Sequence, residues 1–506
     1  MDVKTKVCNL EQCDEEAIGL FFSEDNCRVE DMYKGLDALF NNALSAMINN
    51  KDFKAEKDEI KVIYNTRKSK IKYLILTGMG KKEKQTYFSF ENNVANAIRK
   101  ARELKVKSVA LSSIKLAQEK IEDTGKILTF ASYLALYKNV SFKSKEKEKE
   151  VSTIERVSLI VTKENEKIVS GAVSYATIVS QGVSMTRDIV NTPANIAHTD
   201  YMVEYAQKIA KEYGLKCTVF EHKQLEKMGM NCILAVGKGS YHKPKLVVLE
   251  YNGGKRDEKP IAIVGKGVVF DTGGYSVKTS IFGTNYMLNM KDDKAGAVIT
   301  LHALAIAAKL KLSVNLLGIF PLVENMISGE SYRVDDIYKA YNGLMVEVRN
   351  TDAEGRLILA DALAYACEKK PKVIVDLATL TGAALIAIGN FAVPIMGNNK
   401  ELIERIKRAS EKSLERVWEF PLWEEYGEAL KSDIADIKNV TDATDAGSII
   451  GGIFLKNFVK DNIPWCHIDI AIPTFSTQEK GVNSKGATGF GVRLITELLR
   501  GYSVEK

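Results

Sequence analysis

Histidine is scarce in this chain. There are five in 506 residues, at positions 198, 222, 242, 302 and 467, and they are dispersed. Each reads as a surface or structural side chain rather than a ligand. The seven cysteines are an odd number, scattered from Cys8 to Cys466, with no pair at zinc-ribbon or redox spacing. That excludes a thiolate zinc module and fits a reduced, cytoplasmic setting. No apolar run approaches the ~20 residues that span a bilayer, so no membrane partner is expected. The opening Met1-Asp2-Val3-Lys4 lacks the basic and apolar regions of a secretory leader. No Gly-x-Ser-x-Gly elbow is present, and no cysteine sits in a nucleophile context. Gly237-Lys238-Gly239-Ser240 fails as a phosphate loop, because Cys232 stands where glycine is needed and Gly239 where a hydroxyl is needed. Gly265-Lys266-Gly267 fails as a dinucleotide fingerprint, because Phe270 replaces the third glycine. There is no internal repeat.

An excess of one charge is also missing. Lysine and arginine total 71 against 65 acids, a net charge of +6. Such a balance permits weak nucleic-acid contact without indicating it. The densest charged stretch, from Lys143 to Glu150, alternates in sign and reads as a solvated loop or helix face.

What is present is alternation. Tyr73–Thr77 and Ser108–Leu111 read as strands, and Asn92–Ile98 and Ile127–Tyr133 as helices, which suggests an α/β domain over residues 1–165. The proline-free stretch 166–190 reads as a joining helix, ended at Asn191-Thr192-Pro193 because proline disfavours helix at the residue before it. In 191–506, strand candidates at Leu246–Glu250, Ile261–Val264, Val314–Ile319, Val373–Leu377 and Cys466–Ile470 surround helices at Ala295–Ala308 and Leu357–Cys367. The fold expected is therefore α/β: a smaller N-terminal α/β domain joined by a helix to a C-terminal α/β/α domain with a central mixed sheet. Apolar strands between helices imply a sheet covered on both faces, with ligands at the strands' carboxyl ends.

Asp271 follows the strand that ends near Val264, and Thr379-Leu380-Thr381-Gly382 follows the Val373 strand, so both fall at such ends. Asn350-Thr351-Asp352-Ala353-Glu354-Gly355-Arg356-Leu357 places two carboxylates and a guanidinium just ahead of an apolar helix. Burying Asp352 and Glu354 is costly without cations, and Arg356 supplies only one positive charge. A divalent metal would make up the deficit. Upstream, Gly265-Lys266-Gly267 leads through Phe270-Asp271-Thr272-Gly273-Gly274 to Lys278 and Met290-Lys291-Asp292-Asp293. Asp271, Asp293, Asp352 and Glu354 form an all-oxygen ligand set. Lysine ligates only when neutral, and a nearby dication can depress the pKa of Lys266 that far.

These motifs resemble the leucyl aminopeptidase (cytosol aminopeptidase) family. So do Asp188–Pro193, Glu324–Gly329, Asp376–Ala383, Lys431–Asp436 and Gly486–Gly491, giving coverage of roughly residues 180 to 500. The resemblance implies a metal-dependent aminopeptidase with two divalent ions, manganese or zinc foremost, magnesium or cobalt acceptable. It implies a tighter ion on Lys266, Asp271, Asp293 and Glu354, and a more exchangeable one on Asp271, Asp352 and Glu354. It gives Lys278 the scissile carbonyl and Arg356 a bicarbonate general base. Without that context Lys278 would read as a surface lysine, and Arg356 as an ion-pair partner of Asp352 or Glu354. Met290, Thr379, Leu380, Gly382, Ala471 and Thr474 are the implied substrate-binding positions. A homohexamer acting in the cytoplasm on peptides with a free N-terminus is implied as well.

The sequence departs from the family at three points. Lys294-Ala295-Gly296-Ala297 follows Asp293, where a methionine and glycines are usual. The interval from Lys278 to Asp293 is longer than usual, which suggests an insertion around Ile281-Phe282-Gly283-Thr284. Ile472 stands where glycine is common, so a preference for leucine is not assumed. Two other functions compete: a DNA-binding regulator on the same scaffold and an inactive scaffold. The complete set of Lys266, Asp271, Lys278, Asp293, Asp352, Glu354 and Arg356 argues against the second.

Overall fold

A computed structural model describes residues 1–112, 121–149, 154–281, 284–443, 445–460 and 462–504. The chain divides into two compact units, Met1–Ser184 with Ser476–Lys485, and Met185–Phe475 with Gly486–Lys506.

The first unit is built on a six-stranded sheet in the order Asp2–Lys6, Arg156–Ile160, Ser108–Ser112, Ala17–Phe22, Tyr73–Gly78, Ile60–Tyr64. Only Ile60–Tyr64 runs antiparallel to its neighbour. The strands Ala17–Phe22 and Ser108–Ser112 are buried along their whole length, because helices such as Tyr87–Glu103 and Ile121–Leu136 cover the sheet. The late segment Ser476–Lys485 belongs here through Arg99, which donates to the carbonyls of Gly481 and Asn483, and through Lys138, which pairs with Glu479. The charged stretch after Lys143 contains a short helix, Lys145–Lys149, and Glu150 lies outside the described residues.

The joining helix spans Glu166–Asn191. Its 26 residues are long and apolar enough, by length and composition, to cross a membrane. This corrects the expectation that no run approaches that length: the stretch from Ile168 to Thr186 carries no charge. Part of that apolar surface is used inside the protein, where Val169 and Ala172 lie against Gly125 of a neighbouring helix.

The second unit holds a nine-stranded mixed sheet. Its path is Val417–Glu419, Val393–Gly397, Trp465–Asp469, Val373–Ala378, Ile261–Gly265, Asn315–Asn325, Lys245–Asn252, Lys216–Phe220. The ninth strand, Gly267–Asp271, pairs with the far half of Asn315–Asn325. The strands Trp465–Asp469, Val373–Ala378, Ile261–Gly265, Asn315–Asn325 and Gly267–Asp271 form a parallel series, so their carboxyl ends share one edge. Helix Ala295–Lys309 lies against Gly265 and Gly318 on one face. Helix Glu354–Glu368 packs on Ala262 and Val264, which point to the other. Both helices are buried almost throughout, as their lack of a polar stripe requires.

Candidate active site

Loops and helix starts meet at that shared edge. Asp271 does not follow the Ile261 strand through a loop, as the sequence suggested; it closes its own strand, Gly267–Asp271. A register shift between Val268 and Phe270 interrupts that strand just before the carboxylate. Bulges of this kind re-aim side chains next to sites. Asp271 Oδ1 accepts from the Gly273 amide at 2.9 Å and from Asn325 Nδ2 at 2.8 Å, leaving Oδ2 directed at Lys278 Nζ, 2.9 Å away. Gly273 and Gly274 have φ of +86° and +63°, and a Cβ on Gly273 would lie 2.4 Å from the Ser276 carbonyl. Only glycine lets the chain turn this tightly from Asp271 towards Lys278.

Lys266 follows the strand Ile261–Gly265. Its buried ammonium meets Asp293 Oδ1 at 2.7 Å, Glu354 Oε1 at 2.8 Å and the Thr379 carbonyl at 2.8 Å. Gly355 is what makes room for it: a Cβ there would stand 2.7 Å from Lys266 Nζ. Burial alone would lower the pKa of Lys266, but Asp293, Glu354 and Asp271 outweigh it and hold the ammonium charged. Asp293 comes from the turn Met290–Lys294, and Thr379 Oγ1 donates to its Oδ1 at 2.6 Å. Glu354 opens the helix Glu354–Glu368. Lys278 also meets Asp352 Oδ1 at 2.5 Å.

Four carboxylates thus converge with two ammonium groups, and charge does not balance. Burial, then the charge of Asp271, pushes Glu354 up to about 8 and Asp352 up to about 6. Burial likewise raises Asp293 against the pull of Lys266. Asp293 Oδ2 and Glu354 Oε2 are buried without a hydrogen-bond partner. Asp271, Asp352 and Glu354 can each present an oxygen within 4.8 Å of the others. Oxygen atoms left bare at such spacing, in a set with net negative charge, fit hard or borderline divalent cations.

The cluster floors a cavity of about 460 Å³, with Tyr286, Met290, Thr379, Leu380, Gly382, Ala471 and Ile472 on its walls. A larger hollow of about 670 Å³ around Tyr341 and Phe458 holds no such cluster, so chemistry rather than size marks the site. One expectation changes, and one alternative reading falls away. Thr474 is not on the cavity wall: it is buried behind it and donates to Asp292 Oδ2 at 2.7 Å, while Ile472 takes the wall position. Arg356 forms no ion pair with Asp352 or Glu354 among the described contacts. Its Nη1 donates to the Asn439 carbonyl at 2.6 Å, and its buried Nε has no partner. Burial brings its pKa down to about 10, against the opposing charges of Glu354 and Asp469. Of the suggested insertion, Phe282 and Gly283 lie outside the described residues, and the flanking Ser280–Ile281 and Thr284–Asn285 pair antiparallel.

Some supporting residues gave no sign of their roles in the sequence. Asn325 Nδ2 bridges Asp271 and the Thr351 carbonyl, and Tyr332 donates to that same carbonyl at 2.6 Å. Asp469 Oδ1 accepts from the amides of Leu380 and Thr381 at 3.1 and 3.3 Å, and its Oδ2 from Thr381 Oγ1 at 2.5 Å. The parity of its strand was the one available signal.

Comparison with known proteins agrees with this geometry. The model of the cytosol aminopeptidase family catalytic domain matches residues 184–496, and that of the family's N-terminal domain matches residues 17–146. The N-terminal match extends the resemblance beyond the portion legible in the sequence. A probable cytosol aminopeptidase of Sulfurihydrogenibium sp. (strain YO3AOP1) is 37% identical over 501 residues, covering 98% of this chain and 97% of the relative. One from Syntrophotalea carbinolica is 39% identical over 470 residues, covering 92% and 93%. Among solved structures, a tomato leucine aminopeptidase mutant superposes with a TM-score of 0.87 at 29% identity, covering 99% of this chain and 96% of that one. The bottromycin maturation enzyme BotP in complex with Mn gives 0.83 at 26%, covering 97% and 100%. The chain belongs to the cytosol aminopeptidase family, and it is a peptide-bond hydrolase of that metal-dependent kind.

Proposed function

We propose that this chain releases N-terminal residues from peptides with a free α-amine, using two divalent cations held by Lys266, Asp271, Asp293, Asp352 and Glu354. The observation that carries the reading is the buried, charge-unbalanced carboxylate set with bare oxygens on Asp293 and Glu354. When bound, the cation pair supplies an activated water at neutral pH and an anchor for the substrate amine. Lys266, Asp271, Asp293 and Glu354 would hold the tighter ion, and Asp271, Asp352 and Glu354 the more exchangeable one. Lys266 must give up a proton to ligate, and a dication beside it lowers its pKa in that direction.

Lys278, at the cavity wall, is the cationic donor for the scissile carbonyl and the developing oxyanion. Arg356 holds a bicarbonate as general base. Its planar fork suits such an anion, and its buried, unpartnered Nε supports the assignment. Met290, Thr379, Leu380, Gly382 and Ala471 bind the substrate, and Ile472 narrows the space for the first side chain. Manganese or zinc is the favoured metal, with magnesium and cobalt as alternatives. The enzyme works as a cytoplasmic homohexamer. No observation on the fold or the site favours a nucleic-acid-binding regulator.

The test is a chelated enzyme, its metal content verified, assayed on unblocked and N-acetylated aminoacyl substrates with each metal restored singly. Activity should vanish on chelation, return with manganese, zinc or cobalt, and stay low on acetylated substrates. Full turnover in verified metal-free protein overturns the proposal.

A further inference from the structure

The sequence treats the histidines as dispersed, yet the fold stacks two of them. His198 caps the helix Thr199–Tyr213, and His242 lies in the turn that leads into the strand Lys245–Asn252. Their rings lie 4.0 Å apart and within 6° of parallel. Both present Nδ1 to one carboxylate oxygen, Asp200 Oδ2, at 3.7 Å for His198 and 3.2 Å for His242. One donor atom from each of the three residues falls within 4.8 Å of the other two. All three side chains are partly exposed, so a cation can reach them from solvent.

We infer that His198, Asp200 and His242 form a second cation site, separate from the acidic cluster, that takes a late first-row divalent metal such as zinc, nickel or copper.

Three observations support it. His198 Nδ1 accepts the Tyr201 amide at 3.4 Å and at the same time faces Asp200 Oδ2 at 3.7 Å, too far for a direct hydrogen bond and wide enough for a cation to bridge. Next, the other oxygen of the carboxylate is already held: Lys245 reaches Asp200 Oδ1 at 3.0 Å and also pairs with Glu221. Ligating carboxylates are commonly fixed by such an outer partner. Finally, the turn is braced against the helix independently of the histidines. Thr199 Oγ1 donates to the Lys243 carbonyl at 3.0 Å, and the His242 amide to Ser240 Oγ at 3.0 Å. The donors are thus held near one another by contacts that a metal would not disturb.

Two imidazoles and one carboxylate discriminate differently from the acidic cluster. Imidazole favours zinc, copper and nickel, whereas carboxylate-rich sets also accept magnesium and manganese. Saturating manganese should therefore leave the imidazole site open to zinc. A metal there would pin the start of the helix to a turn 44 positions along the chain.

The experiment compares the wild type with His242→Ala and His198→Asn. Asparagine keeps a side-chain oxygen for the Tyr201 amide, so the second variant removes the imidazole while retaining the helix cap. Each protein is chelated, saturated with manganese, dialysed against a low concentration of zinc, and analysed for metal per chain. Both variants should hold one zinc equivalent fewer than the wild type, with peptidase activity unaltered. Copper bound to the wild type should show nitrogen splitting from two imidazoles in its EPR spectrum, lost in His198→Asn. Equal zinc content in all three proteins overturns the site. So does a loss in His242→Ala that His198→Asn does not share. The zinc difference is read between proteins with the same acidic cluster, so failure of that cluster to bind metal leaves this test intact.

Discussion

Two sets of buried carboxylates lie in the same unit, and they are treated in opposite ways. Asp361, Asp376 and Asp469 are fully buried, and hydrogen-bonding partners meet both oxygens of each. Asp361 accepts from the Ile233 and Tyr341 amides. Asp376 meets His467 Nδ1 at 2.6 Å and Trp465 Nε1 at 2.7 Å. Asp469 gathers the Leu380 and Thr381 loop. Asp293 and Glu354 are nearly as buried, yet each keeps one oxygen bare. A carboxylate used as a strut has both of its oxygens satisfied by protein partners. One awaiting a cation is left short. The contrast locates the working site more sharply than cavity size does.

The strongest test of this contrast exchanges a member of each set for alanine. Glu354→Ala and Asp352→Ala should abolish activity and leave the metal-free fold as stable as before or more so, since each removes a like charge from the crowded acidic cluster. Asp376→Ala should lower stability by roughly 2–4 kcal/mol, because it strands the Trp465 indole and the His467 ring without an acceptor. Urea unfolding of the metal-free proteins checks both. If Glu354→Ala costs as much as Asp376→Ala, the two sets are not different in kind. The pH dependence has a definite sign. Burial raises Glu354 to about 8, so the folded metal-free protein binds a proton the unfolded chain has released. That contribution is present below about pH 4.5, is lost as the pH rises through 8, and should be missing in Glu354→Ala.

Lys278 sharpens the comparison from the cationic side. Its ammonium pairs with Asp271 and Asp352, yet it also lines the cavity where substrate would lie. Lys278→Ala should lower kcat by roughly 10²–10³, the scale of one lost oxyanion donor. Normal kcat in a variant with full metal content would remove that role and leave Lys278 as a counter-ion only.

Much of the site was legible because its residues lie in two short segments. Lys266 to Lys278 and Asn350 to Leu357 carry most of the polar groups, and glycines between them mark close backbone approaches. The sheet of the second unit was legible for a similar reason: its parallel strands are apolar along their length. What the sequence hid depends on contacts across long intervals. Asn325 reaches Asp271 only because Asn315–Asn325 and Gly267–Asp271 pair in parallel. Thr474 reads as a wall residue until the turn after Ala471 places it behind Asp292. His198 and His242 meet only after the helix Thr199–Tyr213 is set against the strand Lys245–Asn252. The grouping of Ser476–Lys485 with the first unit has no local signature at all.

His302 tests the satisfied class with a base in place of an acid. Its ring lies in the helix Ala295–Lys309, with Nδ1 2.8 Å from Thr186 Oγ1 and Nε2 3.0 Å from the Tyr205 hydroxyl. Burial brings its pKa down to about 3. Below pH ~6.5 the unfolded chain takes up a proton that the folded ring refuses. Stability is therefore complete above that pH and falls by ~1.4 kcal/mol per unit on acidification. His302→Gln should flatten this part of the acid limb between pH 6.5 and 5, measured by urea unfolding. An unchanged slope would mean the ring is protonated in the fold and the pocket is not neutral.

The smallest effect expected is at the apolar wall, where the comparison turns from charge to shape. Ile472 lines the cavity beside Ala471, just past the strand Trp465–Asp469, and Asp469 ties the same loop region to Leu380. Its side chain fills space that glycine would leave open, and Pro473 restricts the backbone beside it. The wild type should therefore cleave small or unbranched first residues comparatively well. A methylene's worth of apolar contact is ~1–3 kcal/mol of discrimination. Ile472→Gly should shift relative kcat/KM by at least several-fold towards leucine and phenylalanine, with kcat on alanine substrates little changed. The two carboxylate sets should be untouched, so metal content and stability should stay within experimental scatter. If the wild type already prefers leucine strongly and Ile472→Gly leaves the ranking as it was, the side chain does not border the first-residue pocket. Specificity must then rest on Met290, Leu380 and their neighbours.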